Sequence, residues 1–530
     1  MKKSTNKLLL ILMVALVVWV STATDILAQD PMDMPTLDPN TIPKFVNQLD
    51  KPDEYAPTVI TDKCGNIIRH EYTVNVDVMQ AQVLPPGFPK TKVIAYGGLV
   101  KVPGSKKTVF KRTYPGSTFE MIRDIPAIVH WRNNLKVPHF LPVDPTLEWA
   151  NPNNFPPPVP PFIPFPPGYP QAQFPIPHTT HVHGIEVRAG FDGQPETWFT
   201  FNGIVGPDFV GKDYFYPNSN EPATFWYHDH VFGITRLNVY AGLTGFFLLR
   251  DPKNPLEFPK GKCPQILPKG KYEVPLVIQD RSFNADGSFF YPRVGDVPDL
   301  HPYWNLMFNG QVNVVNGKVW PNLNVERRQY RFRLLNAANQ RFYNFRFSNG
   351  MTFTQIGTDG GFKEKPAELN EIFMGVTERA DILVDFSKFA PGTKIVLQNT
   401  AQLTPPIGPA PNPNTDGVVM QFTVVDSPEI TPPSLPATLN TIAELKPDSP
   451  PRILIQNADT NEAGQIITAM LDGQQFHSPV SELPQVGSTE DWQFTNLTPI
   501  DHTKHVHLIQ FQVLNRQAFD AERYLADWLA

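Results

Sequence analysis

Short runs of alternating or continuous apolar residues, separated by turn-forming residues, dominate the hydropathy pattern of the chain. Such runs, when rich in β-branched and aromatic residues, predict β-strands. They fall at 91–98, 223–230, 242–251, 272–280, 329–337, 380–386, 393–399 and 417–425. Sustained amphipathic helical periods are scarce, so the pattern predicts an all-β protein made of sandwiches or barrels.

Proline-rich connectors divide these strand-rich blocks. The chain has 58 prolines, roughly twice the usual share. They concentrate at 151–177, which could form a surface loop or shape an access route, and at 426–451. A chain of 530 residues exceeds a single hydrophobic core. We therefore predict domains at 45–252, 266–426 and 449–530, with a linker over 427–448.

The first 28 residues have the pattern of an export signal. Lys2, Lys3 and Lys7 precede an apolar run at 8–20, and small residues suited to cleavage follow at Ala23 and Ala28. The apolar run is shorter than the ~20 residues that a membrane span needs. We expect a signal peptide and a periplasmic or extracellular protein with no stable membrane span after cleavage. The alternative is an uncleaved N-terminal anchor.

Charge and cysteine content narrow the functional classes. The net charge is -6 and basic residues form no block, which argues against nucleic acid as a partner. The two cysteines, Cys64 and Cys263, could form a disulfide outside the cytoplasm. They could equally be two unrelated free thiols, and the sequence leaves both possibilities open.

Candidate chemistry lies in the histidines, of which seven among 13 fall in three tight motifs. The motifs are "HTTHVHG" at 178–184, which contributes His181 and His183 (with His178 just outside the pattern), "WYHDH" at 226–230 and "HTKHVH" at 502–507. In a strand, residues i and i+2 point to the same face. Each His-X-His pair can therefore present two imidazoles to one metal or to two adjacent metals. One such pair is weak evidence, but three on strand-like segments predict a shared metal centre.

The kind of metal follows from the donor set. Histidines without neighbouring cysteines argue against structural zinc, which usually closes with four ligands. Neutral imidazole suits copper, zinc, iron and nickel, and copper has the highest affinity among the divalent ions. A zinc-dependent hydrolase usually places its histidines on an α/β scaffold with aspartate ligands, and neither feature is present.

These motifs resemble those of the multicopper oxidases, particularly the three-domain bacterial laccases of the spore-coat type and the bilirubin oxidases. The likeness extends over "HFLPVD" (139–144), "FDGQPETWFT" (191–200), "ERADILVDF" (378–386) and "HVHLIQFQVLNRQAFDAERY" (505–524). It implies tandem cupredoxin-like Greek-key β-sandwich domains, two complete and the third incomplete. It also implies oxidation of phenolic or related small molecules coupled to four-electron reduction of dioxygen to water, with four coppers in a complete family member.

The resemblance further implies roles for individual residues. His181 and His505 would hold the type 2 copper, while His502 would be a ligand of the type 1 copper. The type 3 pair would take four of its six ligands from histidines in all three motifs, namely His183, His228, His230 and His507. Asp192 would assist proton delivery to dioxygen. His178, which lies just outside the pattern, is interpreted as a structural residue, as are His70, His130, His139, His301 and His477.

One family motif has no counterpart in the 530 residues. The family's His-Cys-His segment supplies the type 1 cysteine, its second histidine and two type 3 ligands, but neither Cys64 nor Cys263 has a histidine beside it. Three interpretations remain open: a fragment or frameshifted product, an oxidase completed by a separately encoded C-terminal segment, or a non-catalytic extracytoplasmic copper-binding or structural cupredoxin protein. We expect the first, and negligible oxidase activity of this chain alone.

Overall fold

The computed structural model describes residues 35–261 and 263–529. The predicted signal peptide at 1–28 therefore lies outside the described residues. Within the described part of the chain, strands β1 to β26 form five sheets. All eight sequence-predicted strands are present, and the predicted all-β, cupredoxin-like fold is confirmed. Among the described helices, none is long and apolar enough to cross a membrane.

The first domain is a sandwich of two sheets. The first sheet has the order β4-β3-β2-β6-β8, with β1 paired to β2. It comprises β1 Thr58–Thr61, β2 Ile67–Ala81, β3 Thr91–Lys101, β4 Thr108–Thr113, β6 Ala127–Asn133 and β8 Asp213–Tyr216. The second sheet has the order β5-β10-β9-β7. It comprises β5 Gly116–Ile122, β7 Thr180–His183, β9 Thr224–Asp229 and β10 Thr244–Arg250.

In the described part of the chain, three short α-helices accompany the sheets: α1 Pro170–Gln173, α2 Thr235–Ala241 and α3 Ala521–Leu529. Helix α2 lies between β9 and β10. It ends at Ala241 and is followed by Gly242, which has φ +135°, a backbone conformation that residues other than glycine rarely adopt.

The second domain is also a two-sheet sandwich. Its larger sheet has the order β14-β13-β11-β16-β21-β18-β19, with β12 paired to β11. It comprises β11 Glu273–Phe283, β12 Phe289–Phe290, β13 Val312–Val315, β14 Lys318–Val319, β16 Gln329–Asn336, β18 Phe353–Thr358, β19 Gly361–Leu369 and β21 Arg379–Asp385. The smaller sheet has the order β15-β23-β22-β17-β20. It comprises β15 Asn322–Val325, β17 Tyr343–Phe347, β20 Glu371–Met374, β22 Lys394–Asn399 and β23 Val418–Val424.

The second sheet of the first domain is buried on both faces. On its inner face, Tyr227 and Phe247 join the aromatic core of the first domain. On its outer face, Trp226 and Phe246 pack against Leu335 of the second domain. Strands covered on both sides need no polar alternation, which explains the nearly continuous apolar runs over β9 and β10.

Buried ion pairs connect the two domains next to this sheet. Arg250 at the end of β10 contacts Glu120 Oε2 at 2.7 Å and Glu273 Oε1 at 2.7 Å. Arg333 of β16 contacts the same Glu273 oxygen at 2.6 Å and donates to Thr224 Oγ1 at 2.7 Å. Charges that are buried need such partners. The contacts attach β9 and β10 firmly to the second domain.

The third region is organised differently. Its described residues form one three-stranded sheet, with the order β25-β24-β26. The strands are β24 Arg452–Thr460, β25 Ile466–Leu471 and β26 Trp492–Asn496. Residues 427–448, predicted as a linker, carry no helix or strand. The domain boundaries themselves stay predictions.

Our expectation that the motif at 502–507 lies on a strand is wrong. The structure has no strand or helix between Asn496 and Ala521. A strand forms only where a neighbour accepts its hydrogen bonds, and no described segment pairs with residues 502–507. Local residue pattern alone therefore misassigned this segment.

Candidate metal centre

Four of the candidate histidines stand on a platform formed by β7 and β9. The two strands pair antiparallel, with His181 opposite His228 and His183 opposite Trp226. Residues directly opposite each other point to the same face, and so do residues two apart. His181, His183, His228 and His230 therefore all lie on the outer face of the sheet.

The third region adds two more imidazoles to this platform. The ring of His505 stacks on His183 with centroids 3.5 Å apart, and the ring of His507 stacks on His181 at 4.1 Å. His507 also lies 5.0 Å from the ring of His230. The structure thus brings together six of the seven predicted histidines from two distant parts of the chain.

Two sets of nitrogen atoms in this cluster are close enough to share an ion. One set comes from His181, His505 and His507, and the other from His181, His183 and His228; within each set the ligand atoms lie within 4.8 Å of one another. His181 belongs to both sets and stands at the centre of the cluster.

Hydrogen bonds to Nδ1 determine which nitrogen faces the cluster. The Nδ1–H groups of His181, His228 and His230 donate to the carbonyl oxygens of Asp192, Asp229 and Gly193, at 2.6, 2.7 and 2.9 Å. A carbonyl oxygen can only accept a hydrogen bond, so each Nδ1 carries the proton. The neutral rings then present the Nε2 lone pair, which is the atom that binds a metal.

Asp192 joins the two halves of the cluster. Its Oδ2 accepts from His507 Nδ1 at 2.7 Å, and its Oδ1 lies 3.1 Å from His181 Nδ1. Burial opposes ionisation of this carboxyl, but the contacts with His181 and His507 outweigh burial and lower its pKa to about 2. Asp192 is therefore a carboxylate at neutral pH that orients one imidazole from each half.

The residue after Asp192 must be a glycine. Gly193 has φ +68°, and a Cβ at this position would lie 2.1 Å from the carbonyl oxygen of Thr180. The close approach brings the carbonyl of Gly193 to His230 and that of Asp192 to His181. The "FDG" segment thus serves as an outer support for the imidazoles.

Burial keeps the platform histidines neutral. It lowers the pKa of His228 well below its usual value and that of His230 to about 3, and neighbouring imidazoles add to both effects. Burial also lowers the pKa of His183, assisted by the positive charge of Arg379. Neutral imidazole is the form that binds metal.

His502 lies apart from the six clustered rings. The residue is exposed overall although its ring is partly shielded from solvent, and its Nε2 is 2.7 Å from Thr498 Oγ1. Burial of the ring atoms and the nearby Lys504 lower its pKa to about 4. The structure therefore leaves His502 available for a second, separate site.

Sequence reasoning missed several residues that shape the site. Trp226 stacks on His228 with ring centroids 4.2 Å apart. Arg379, a buried residue of β21 in the second domain, donates from Nε to the carbonyl of Thr224 at 3.1 Å. Asp229 was visible between the two histidines of its motif, and alternation along the strand would have placed it on the opposite face. Nothing in the local sequence marks Arg379.

The donor set fits copper. The buried Nε2 atoms of His181 and His228 have no hydrogen-bond partner, although buried polar atoms are normally paired. All six side chains that meet in the cluster are histidines, and their imidazole groups suit copper. A metal would use the unpartnered atoms, and the carbonyl and carboxylate contacts at Nδ1 are the usual outer support of metal-binding histidines.

Comparison with known proteins identifies the family. Multicopper oxidase family models match residues 295–405 and 444–527. The laccase of Bacillus subtilis (strain 168) is 35% identical over 499 residues, which cover 91% of this chain and 86% of that protein. The chain belongs to the multicopper oxidase family. The predicted resemblance to bacterial laccases is confirmed, and the protein is a copper oxidoreductase by family.

Other relatives of this multicopper oxidase are spread widely. The multicopper oxidase LPR1 of Arabidopsis thaliana is 34% identical over 435 residues, covering 81% of this chain and 68% of that protein. Among solved structures, the McoA multicopper oxidase of Aquifex aeolicus superposes with a TM-score of 0.61 at 21% identity, covering 88% and 86% of the two chains. At that identity the superposition shows the shared fold alone.

The two cysteines of this multicopper oxidase belong to neither set of candidate metal ligands. Cys64 and Cys263 are both exposed and unpaired in the structure, so the open question of a disulfide resolves to two free thiols. Cys64 lies in a turn in which its backbone N–H donates to Asp62 Oδ1 at 2.8 Å.

Proposed function

We propose that this multicopper oxidase is of the laccase type, oxidising phenolic or related small donors and reducing dioxygen to water by four electrons. The observation that carries the proposal is the cluster of six imidazoles, four of which are held at Nδ1 so that Nε2 is left for a metal. The family relationship and the confirmed fold support it. The Bacillus subtilis relative is a laccase.

The proposed copper ligands follow the family pattern. His181 and His505 hold the type 2 copper, and His502 is a ligand of the type 1 copper. Four histidines serve the type 3 pair, namely His183, His228, His230 and His507. Support comes from the first nitrogen set, in which both proposed type 2 ligands lie within 4.8 Å of each other, and from the position of His502 apart from the cluster.

Bound copper would supply one-electron redox chemistry, and the chain's own residues would orient ligands and handle protons. Asp192 Oδ2 holds the Nδ1 proton of His507. The only polar contact of Asp192 Oδ1 among the described residues is the one with His181 Nδ1 at 3.1 Å, and it lacks the geometry of a full hydrogen bond. We assign to this oxygen the role of passing protons towards the reduced oxygen product.

Electron uptake is the part of the proposal that needs a further ligand. The type 1 site uses a cysteine, and residues 1–530 place none beside a histidine. That cysteine would be supplied either by a continuation of the chain, with residues 1–530 as a fragment or frameshifted product, or by a separately encoded segment. The rest of the proposal does not depend on where the cysteine comes from.

A second candidate is a non-catalytic copper-binding or structural cupredoxin protein outside the cytoplasm. This candidate is favoured because Cys64 and Cys263, both exposed and unpaired, have no histidine beside them in the sequence. For both candidates we propose export to the periplasm or the extracellular space. Support for export is the basic and apolar pattern at 1–20.

Copper analysis of the purified chain tests the proposal. After reconstitution with Cu(II) and removal of loose metal, we expect bound copper that is reduced in His181→Ala and in His505→Ala. The matched control is His130→Ala, which changes a histidine of the first sheet. Copper content in both site variants equal to that of the parent would refute the ligand assignment.

Visible absorption and oxygen consumption separate the two candidates. For residues 1–530 alone we expect copper binding without an intense blue band and with negligible consumption of dioxygen in the presence of a phenol. A blue band and phenol-dependent oxygen consumption would show that the type 1 site is complete in the protein tested. Oxygen consumption restored by an added cysteine-bearing segment would favour the oxidase over the structural protein.

A further inference from the structure

The reverse face of the β7–β9 platform carries a buried polar cluster. Thr180 pairs with Asp229 across the two strands, one position away from the pair His181 and His228. Because side chains alternate along a strand, Thr180 and Asp229 point away from the imidazole cluster and into the core of the first domain. The side chains of Asp229 and His178 have no solvent-accessible surface.

The carboxylate of Asp229 receives three donors from different parts of the chain. His178 Nδ1 donates to Oδ2 at 2.9 Å, while Asn238 Nδ2 and the backbone N–H of Val231 donate to Oδ1 at 2.9 and 3.1 Å. His178 precedes β7, Asp229 belongs to β9, and Asn238 belongs to α2. One carboxylate thus links all three elements.

The donor and acceptor roles in this cluster follow from the hydrogen bond that His139 accepts. The backbone N–H of Leu141 donates to His139 Nδ1 at 3.0 Å, so His139 Nε2–H donates to Asn238 Oδ1 at 3.2 Å. The amide of Asn238 must then turn its Nδ2 towards Asp229. Thr180 Oγ1 lies 3.0 Å from His178 Nε2 and 3.5 Å from the hydroxyl of Tyr96, where the chain of hydrogen bonds ends.

The surroundings of this hydrogen-bonded chain are apolar and aromatic. The ring of His178 lies 5.9 Å from Tyr96, 6.4 Å from Trp131 and 5.9 Å from Phe199. A carboxylate in such a place is costly unless its partners are retained, and removing one partner destabilises strongly. The partners of Asp229 are satisfied only in one register of β7 against β9.

Register matters here because of the period of two. A slip by one residue would turn His181 and His183 to the core face. We propose that the buried pair Asp229–His178, tied to α2 by Asn238, is a positioning device that sets the register of β7 against β9 and so aligns the four platform imidazoles. The effect on copper ligands rests on the copper function proposed above. The role of the pair in setting the register of the two strands does not depend on that function.

Three variants and a matched pair test this inference. His178→Leu removes the donor to Asp229, whereas His178→Asn keeps an N–H close to the position of Nδ1. Asp229→Asn weakens the acceptor. The control is a His–Asp pair on the first sheet, where His130 Nδ1 lies 2.8 Å from Asp213 Oδ1 and both side chains are partly exposed; there we change His130→Leu.

Hydrogen exchange gives a readout that does not need copper. Peptides covering 178–184 and 224–231 should exchange at least about tenfold faster in His178→Leu and Asp229→Asn, with His178→Asn close to the parent and His130→Leu unchanged there. Tenfold corresponds to about 1.4 kcal/mol. Unchanged exchange in both peptides would overturn the inference, whether or not the parent binds copper.

Copper spectroscopy adds the functional consequence. In folded protein, His178→Leu should lower copper per chain and alter the Cu(II) electron paramagnetic resonance spectrum, and His178→Asn should restore both. Faster exchange with a parent that binds no copper would refute the proposed function and leave the inference standing. Faster exchange with parental copper content and spectrum in the variants would show a purely structural pair and overturn its positioning role.

Discussion

The two halves of the imidazole cluster are built in opposite ways. On the first-domain side, His181, His183 and His228 are buried on paired strands, and hydrogen bonds at Nδ1 orient the rings of His181 and His228. On the third-region side, His505 is exposed and lies on a segment with no strand or helix. A preformed half with fixed ligands therefore faces a half whose position depends on contacts across the gap.

The two halves also differ in how completely the apolar side chains around them are buried. The second sheet of the first domain is covered on both faces, whereas large apolar side chains of the third region stay in water. Among the latter are Val480, Leu483, Val486, Phe511, Val513 and Leu514, all more than half exposed. Exposed apolar surface on this scale marks an interaction site or a tendency to aggregate.

The strongest test of this comparison makes the same substitution in both environments. Phe345→Ala removes a ring that is 1% exposed in the second domain and should lower the free energy of unfolding by about 3–5 kcal/mol. Phe511→Ala removes a ring that is 55% exposed, and stability should stay within about 0.5 kcal/mol.

Denaturant titration and calorimetry would measure both changes, with light scattering as a second readout for Phe511→Ala. We expect less scattering from that variant, because it removes exposed apolar area. A large loss of stability in Phe511→Ala would mean that the third region is packed in solution, and the comparison would fail.

The second test breaks the contact between the halves. Asp192→Ala removes the carboxylate that orients His181 from one half and His507 from the other. Loss of such an outer support typically costs roughly 10–100-fold in metal affinity. Competition titration with a chelator would measure the change, and Asp213→Ala, an exposed carboxylate, is the control. Equal affinity in Asp192→Ala and parent would show that each half positions its own ligands.

The smallest effect concerns a peripheral contact of the third region. His477 lies between two carboxylates of the first domain, with Nδ1 3.2 Å from Glu148 Oε2 and Nε2 3.1 Å from Glu196 Oε1. Phe476 beside it stacks on Phe232 at 4.5 Å. The contact with Glu196, reinforced by Glu148, raises the pKa of His477.

The direction of the pH effect follows from this raised pKa. The contact is fully present below the ordinary histidine pKa of about 6.5 and is lost as pH rises through the higher value of the docked state. The effect is small, because the side chains are exposed and salt screens them. Limited proteolysis at a series of pH values should cut the third region of the parent faster at higher pH. In His477→Gln the rate of cleavage should not change with pH beyond the pH dependence of the protease itself. A parent and variant that respond alike would remove His477 from the docking contact.

The strand predictions were correct in the well-packed first domain and wrong at residues 502–507 of the third region. The runs at 223–230 and 242–251 became β9 and β10 as predicted, because their neighbours in the sheet are present and bury both faces. The motif at 502–507 contains a His-X-His pair like those at 181–183 and 228–230, but it forms no strand. Period-2 patterns describe which face a strand would show, whereas pairing decides whether the strand exists.

Several site features lay beyond any local pattern. Arg379 reaches the platform from the second domain, and Asn238 orients Asp229 from a helix nine residues away. Such contacts depend on how domains and elements pack, and no spacing rule along the chain encodes them. The histidine motifs were readable because metal ligands of one kind recur at the short spacing that a strand presents on one face.

By itself, the sequence determined the all-β class, the family, and the chemistry of the candidate ligands, since each depends on residue type and short-range periodicity. Tertiary structure alone decided that six imidazoles meet around His181, that Asp192 spans both halves, and that Asp229 and His178 lie buried behind them. The physical reason is distance along the chain. His183 and His505 stack at 3.5 Å although they are far apart in sequence, and only packing of the first domain against the third region brings them together.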